Sequence, residues 1–319
     1  MDEKTNSYDL VIIGGACAGL AAGTYAARRA LKVLIVTKDV GGQIATTPTV
    51  ENYPAIANIT GPDLARQMME QAIQWGCEVI FDEVTELEKR GEKQFVITGR
   101  KDTYHAQALM LAYGKTPRNL DVPGEELYAG RGVSYCVTCD APLFKNRDVA
   151  VVGGGNSAME GALILAKICK RVYLVHRRDE FRGEAVLLKQ IEAEPKIELV
   201  LSSVAAEVVG DGKYANGLKV KNVTTDAEQV LTVDGIFVEI GFIVNTALIR
   251  GHVELDRMNQ VITNKRMETS TSGIFAAGDI TDSPYKQAVI SAGEGAAAAL
   301  TAYSYINDGA PAGVDWSTH

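Results

Sequence analysis

The chain has 319 residues, 46% hydrophobic and 23% charged, the balance of a globular protein long enough for two domains. A formal net charge of −8 argues against nucleic acid or anionic membrane as a general partner, because both are polyanions that select basic surfaces. Five cysteines, Cys17, Cys77, Cys136, Cys139 and Cys169, are too few and too scattered for a secreted disulfide framework and indicate a reducing compartment, the cytoplasm. The acidic start MDEKTNSYDL lacks the basic region of an export signal.

Leu10 to Ala27, LVIIGGACAGLAAGTYAA, is uncharged and spaces Gly15, Gly19 and Gly23 as a transmembrane dimer motif would. It is barely long enough to span and poor in large apolar residues. The run LVII stopping at a glycine pair instead predicts a strand, a tight turn and a helix packed closely on a sheet, with a second strand ending at Thr37. Next come GGQI at Gly41 to Ile44 and VENYP at Val50 to Pro54, polar and turn-rich segments of the kind that wrap a ligand.

RDVAVVGGGNSAMEGALILAKICKRVYLVHR repeats the opening unit. Asp9 matches Asp148, Gly14 matches Gly153, Gly19 matches Ala158 and Val36 matches Val175; each pair lies 139 positions apart (148 − 9, 175 − 36), so the match needs no gap. Both copies have the layout of a dinucleotide-binding βαβ unit, where glycines make the turn, admit a pyrophosphate and let the helix pack closely. Phosphates then sit at a helix N-terminus, where free N–H groups and the helix dipole favour negative charge. Two nucleotide sites follow. The first turn reads Gly14-x-Ala16-x-x-Gly19 and the second Gly153-x-Gly155-x-x-Ala158, so each departs from the full pattern once.

The second copy ends in HRRDEFR, with Arg177 and Arg178 where an NAD site would carry an acid and Arg182 close behind. Guanidinium groups there hold a 2′-phosphate by bidentate, charge-assisted bonds and predict NADP(H). No acid stands at the corresponding Thr37. Near the end, TSGIFAAGDI reads as a buried strand closing on Gly278 and Asp279, followed by the small-residue helix KQAVISAGEGAAAAL, where the acid could hold a sugar-like hydroxyl chain. The expected fold is α/β with two Rossmann-like, three-layer domains. One is discontinuous (1–115 and 245–319), and the other (116–244) is inserted through the linkers YGKTPRNLDVPGEE and EIGFIVNT.

Between the two turns lies SYCVTCDAPLF. Its Cys136 and Cys139 read as a zinc half-site, a structural staple or a redox dithiol, with Asp140 placed to exchange a proton if burial lifts its pKa. Zinc needs two further ligands at usable spacing, and His105, His176, His252 and His319 are dispersed. Cys17, Cys77 and Cys169 read as buried or incidental thiols.

The first turn, GGQ, VENYP, CVTCD, GGGNSAMEG, HRRDEFR and GIFAAGDI followed by KQA, in that order, make the chain similar to the low-molecular-weight, bacterial and archaeal type of thioredoxin reductase over nearly its whole length. The resemblance implies FAD held by Gly14, Ala16, Cys17, Ala18 and Gly19, by Thr37, Gly42, Gln43, Asn52 and Gly114, and by Gly278, Asp279, Lys286, Gln287 and Ala288. It implies NADPH on Gly153, Gly155, Asn156, Ser157, His176, Arg177, Arg178 and Arg182. It implies that Cys139 faces the flavin, Cys136 attacks the disulfide of thioredoxin or a thioredoxin-like protein, and Asp140 handles the proton. It further implies a homodimer and an inserted domain that swings. The chain ends GVDWSTH, without the cysteine or selenocysteine tail of the larger animal-type enzymes.

Departures from the family pattern are Ala16 and Cys17 for Gly-Pro, Ala55 and Ala141 each for Gly, Tyr113 for Thr and Lys286 for Arg. They cluster on the flavin side and predict altered FAD affinity or potential, checked against an Ala16→Gly variant. A ferredoxin–NADP reductase of this build would not need the cysteine pair, a dithiol oxidase would not need HRRDEFR, and a non-catalytic NADP sensor gives no reason for Cys-x-x-Cys-Asp.

Overall fold

In the computed structural model, residues 6–47, 49–181 and 184–311 are described, so Arg182 and the terminal GVDWSTH lie outside the described residues. Two compact units emerge. One draws on Met1–Ala45, Glu51–Thr116 and Val244–His319, the other on Thr46–Val50 and Pro117–Ile243.

The first unit opens with β1 (Ser7–Gly15), α1 (Cys17–Ala27), β2 (Val33–Val40), α2 (Gly61–Gln74), β3 (Glu78–Phe81), β4 (Val84–Gly91), β5 (Gln94–Gly99) and β6 (Thr103–Leu111). They build a sheet in the order β3-β2-β1-β6-β5-β4, parallel from β3 to β6 and antiparallel across β5 and β4. The LVII run is buried on both faces, as a central parallel strand must be. Leu10 and Ile12 join the cluster that includes Ala18, Leu20 and Ala22 of α1, while Val11 and Ile13 join Leu34, Val36 and Ile97 on the opposite face.

The chain next forms β7 (Thr116–Pro117), α3 (Glu125–Tyr128), β8 (Val133–Ser134), α4 (Val137–Asp140), β9 (Asp148–Val152), α5 (Asn156–Ala166), β10 (Arg171–Val175), α6 (Ala185–Ala193) and β11 (Ile197–Val200). After these come β12 (Ser203–Gly210), β13 (Ala215–Asn222), β14 (Glu228–Thr232), β15 (Gly235–Val238) and β16 (Phe242–Ile243). The second unit holds a five-stranded parallel sheet, β11-β10-β9-β15-β8, and a three-stranded antiparallel sheet, β12-β13-β14; β16 pairs with β7. Helix residues Ala158, Met159, Ala162 and Leu165 pack with Val149 and Val151 on one face of the parallel sheet. Val208, Leu218 and Val220 pack with Ala150 and Val152 on the other.

The chain returns to the first unit with β17 (Ile274–Ala276), which pairs with the end of β6, and α7 (Ala288–Ile306). The α/β class with two Rossmann-like units expected from the sequence is the one formed. No helix among the described residues is long and apolar enough to cross a membrane, and Leu10 to Ala27 divides into the end of β1, the turn and α1.

The internal repeat survives folding in register. Leu10 pairs with Val33 and Ile12 with Ile35 in the first unit; Val149 pairs with Val172 and Val151 with Leu174 in the second, each shifted by the same 139 positions (149 − 10, 174 − 35). Helices α1 and α5 are both 11 residues long and begin at equivalent positions.

Candidate active site

Each Gly-rich turn places its helix start by the same backbone path. Ala16 caps α1 with φ −107° and ψ −167°, and its counterpart Gly155 caps α5 with φ −98° and ψ −176°. This extended conformation is open to any residue, so Ala16 carries no backbone strain. Neither cap accepts a side-chain hydrogen bond from its helix, which leaves first-turn N–H groups available to an anion.

In the first turn Gly14 has φ +115°, and a Cβ there would lie 2.4 Å from the Ala112 carbonyl oxygen. A Cβ on Gly19 would lie 1.9 Å from the Gly14 oxygen, the close helix packing that the third glycine permits. In the second turn the methyl of Ala158 uses the space Gly153 leaves: a Cβ on Gly153 would meet it at 2.6 Å. In front of Gly155 a Cβ would meet nothing within 4 Å, the clearance a pyrophosphate needs.

The remaining candidate FAD residues lie in β2 (Thr37), in the segments after it (Gly42, Gln43 and Asn52), after β6 (Gly114), after β17 (Gly278 and Asp279) and at the start of α7 (Lys286, Gln287 and Ala288). Thr37 is buried and braces the turn, its hydroxyl accepting from Gly15 N at 2.9 Å and donating to the Asp39 carbonyl. Gln43 donates to the Lys115 carbonyl at 2.7 Å, and Asn52 donates to Gln287 at 3.1 Å, joining VENYP to KQA. Gly42 and Gly114 have positive φ, and a Cβ on Gly42 would face the Ala16 methyl at 3.5 Å. Gly278 donates its N–H to Glu294 at 2.8 Å, and Asp279 approaches the Ser291 hydroxyl at 3.5 Å. Lys286 donates to the Thr281 carbonyl at 2.6 Å; burial lowers its pKa, opposed first by Asp279. Ala18 and Ala288 lie in the first turns of α1 and α7. Tyr113 donates to the Asn245 carbonyl at 2.9 Å.

In the second unit Arg177, Arg178 and Ser157 are exposed, and the two arginines meet no acidic partner among the described residues. Asn156 and Glu184 exchange two hydrogen bonds, of 3.2 and 2.9 Å, that hold the segment after HRRDEFR against α5. His176 is buried, stacked on Phe181 with ring centroids 5.1 Å apart, and its Nε2 contacts the Glu180 carbonyl at 3.1 Å. Its ring fills the position a Gly154 side chain would need, so it buttresses the turn.

Cys136 and Cys139 are bridged, with Cα atoms 5.3 Å apart. Val137, between them, is buried and packs on Gly161 of α5, which seats the short α4. Asp140 is buried, and desolvation raises its pKa above the ordinary 3.8, opposed by a hydrogen bond from Ser134. Ser134 Oγ accepts from Cys136 N at 3.2 Å and donates to Asp140 Oδ2 at 2.6 Å, while Oδ1 is buried without a partner. The sequence reading missed Ser134; a hydroxyl two residues before the first cysteine and six before the acid was the available signal. Cys17, Cys77 and Cys169 are buried, and burial pushes their thiols up to about 11, about 12 and about 11.

This arrangement sets a disulfide beside a carboxyl whose burial favours its neutral form, on the unit that carries the second Gly-rich turn. The pyridine nucleotide-disulphide oxidoreductase family matches residues 8–295. A thioredoxin reductase of Mycolicibacterium smegmatis is 40% identical over 96% of this chain and 99% of its own length. A bifunctional thioredoxin reductase/thioredoxin of Mycobacterium leprae is 41% identical over 94% of this chain and 66% of its own length. The crystal structure of thioredoxin reductase from Streptococcus pyogenes has a TM-score of 0.91 at 35% identity, covering 96% of this chain and all of that one. The chain therefore belongs to the pyridine nucleotide-disulphide oxidoreductase family, and within it is similar from end to end to thioredoxin reductases, as its motifs led us to expect.

Proposed function

We propose that the protein is a thioredoxin-disulfide reductase in which electrons pass from NADPH through FAD to the Cys136–Cys139 bridge and on to the disulfide of thioredoxin or a thioredoxin-like protein. The closed Cys136–Cys139 bridge beside the buried Asp140 carries this reading, because neither a staple nor a metal site requires an acid held there. The first Gly-rich turn, Gly42, Gln43, Asn52, Gly114, Gly278 and Asp279 would hold FAD. Gly155, Ser157, Arg177 and Arg178 would hold NADPH, the exposed guanidinium groups taking its 2′-phosphate. The domain division at about 116 and 244, the cytoplasm and a homodimer belong to the same reading; sedimentation of the holoprotein tests the last.

When bound, FAD supplies the two-electron link between a hydride donor and the disulfide. The chain's own part is thiol exchange. With the pair reduced, the Cys136 thiolate attacks one sulfur of the partner disulfide, forming a mixed disulfide and releasing the partner's other sulfur. Cys139 then passes its proton to the released partner sulfur, and its thiolate attacks Cys136, recloses the bridge and releases the partner's second sulfur, which takes its proton from water. Asp140, adjacent to Cys139 in sequence, is the proton donor when the pair is reduced.

The purified protein should show a flavin absorption band that NADPH bleaches more efficiently than NADH. Cys136→Ser and Cys139→Ser should each abolish thioredoxin-dependent NADPH oxidation while leaving that bleaching intact. Continued reduction of thioredoxin by either variant would overturn the relay, and failure to accept thioredoxin beside activity toward another protein disulfide would reassign the acceptor.

A further inference from the structure

The proposed reaction has an uneven proton count. A hydride brings two electrons and one proton, whereas converting a disulfide to two thiols consumes two of each. One proton per turnover comes from water, so the buried acid needs a route to it.

We propose that this proton enters through a cleft of about 440 Å³ in the second unit, lined by Gly132, Ser134, Asp140, Phe144, Arg147 and Asp234, with Ser134 holding the Asp140 carboxyl to receive it. The inference rests on the disulfide-reductase reading and extends it to a proton port and a positioning residue. Asp140 and Ser134 both line the cleft, and among the described residues neither Cys136 nor Cys139 does. The acid is thus reached from a side that the sulfurs leave open.

Ser134 determines which oxygen works. Its hydroxyl oxygen accepts from Cys136 N, and its proton is directed at Asp140 Oδ2. A proton on the carboxyl therefore resides on Oδ1, the buried oxygen with no other partner. The charged and titratable groups around the cleft are Arg131, Tyr214 and the Arg147–Asp234 pair, whose atoms lie 3.3 Å apart. Helix α5, packed against α4, adds only Glu160, which is exposed. None of these pairs with the Asp140 carboxyl, and burial favours its neutral form. In the step itself the O–H bond of Asp140 breaks as the S–H bond of Cys139 forms. The carboxylate regains its proton from water in the cleft once a turn of the carboxyl group brings the buried Oδ1 to it.

Leu143 lines the cleft and is 43% exposed, so a plug can be installed there after folding. The Leu143→Cys holoenzyme is treated with N-ethylmaleimide while its bridge is closed; the other three thiols are buried. NADPH oxidation is then followed with thioredoxin and with a small aromatic disulfide. The labelled enzyme should complete one normal turnover, then slow with both acceptors by about a hundredfold, the lower end of what a positioned proton donor contributes. Equal steady-state rates before and after labelling overturn the port, as does slowing with thioredoxin alone, which is a docking clash. The infrared band of the neutral Asp140 carboxyl, identified by its loss in Asp140→Asn, should persist to higher pH in Ser134→Ala and titrate normally in Ser134→Thr. An unchanged titration in Ser134→Ala overturns the part given to Ser134. A strong label effect with the small disulfide, in a protein that leaves thioredoxin untouched, overturns only the choice of substrate.

Discussion

Desolvation favours the neutral form of Asp140, and that has a sign in the protein's stability. Its folded pKa is raised, so between the ordinary aspartate range and the raised value the folded state binds more protons than the unfolded one, and stability falls as pH rises. Asp140→Asn, which keeps an acceptor for Ser134, should raise the thermal midpoint at pH 7. The advantage should shrink as the pH drops towards the ordinary 3.8, which a pair of melting series would check. A second residue-scale cost is Ala55, exposed and at φ +71° in the left-handed region. Ala55→Gly should stabilise by up to about 1 kcal/mol, the left-handed penalty less glycine's larger unfolded-state entropy, measured by urea unfolding. The sequence marked Ala55 as a departure from the family pattern but gave no φ. It also named Asp140 without its burial, since burial depends on how β8, α4 and α5 meet.

Among elements, the two βαβ units differ least where the sequence was most legible. An ungapped match keeps strand register, helix length and cap position together, so the shared architecture could be read from letters alone. What letters could not show is which methyl groups fit. Gly19→Ala drives a Cβ into the Gly14 carbonyl and should cost about 1–3 kcal/mol, with loss of bound flavin in the purified protein. Ala158→Gly removes a methyl that is already accommodated and should cost roughly 1 kcal/mol, with nucleotide binding retained. The small residues of α7 have the same logic, since a Cβ on Gly295 would lie 2.1 Å from the Ala18 carbonyl oxygen. The sequence marks that run as a helix beside a strand end; its partner, α1, is visible only in the packing. Ser134 was missed because a lone hydroxyl has meaning only once the turn folds it onto Asp140.

For the whole molecule, the proposed entry of electrons through the second Gly-rich unit can be tested directly. Removing both exposed guanidinium groups, Arg177→Ala with Arg178→Ala, should lower the NADPH-over-NADH ratio of kcat/KM by about ten- to a hundredfold, the range expected for lost charge-assisted bonds. Steady-state kinetics with both donors would show it. The bridge has a further consequence. It closes a ring spanning only a sequence separation of 3, which withdraws about 2 kcal/mol of freedom from the unfolded chain by the loop-entropy relation. One residue further on, Asp140 N donates to the Cys136 carbonyl at 3.1 Å, so a backbone hydrogen bond also closes this turn. By the loop-entropy relation, opening the sulfur bond costs about 2 kcal/mol, less than half the roughly 4.7 kcal/mol of a 100-residue loop. The short ring therefore keeps the coupling between oxidation state and folding near the low end for a disulfide, which suits a cross-link that is broken in every cycle.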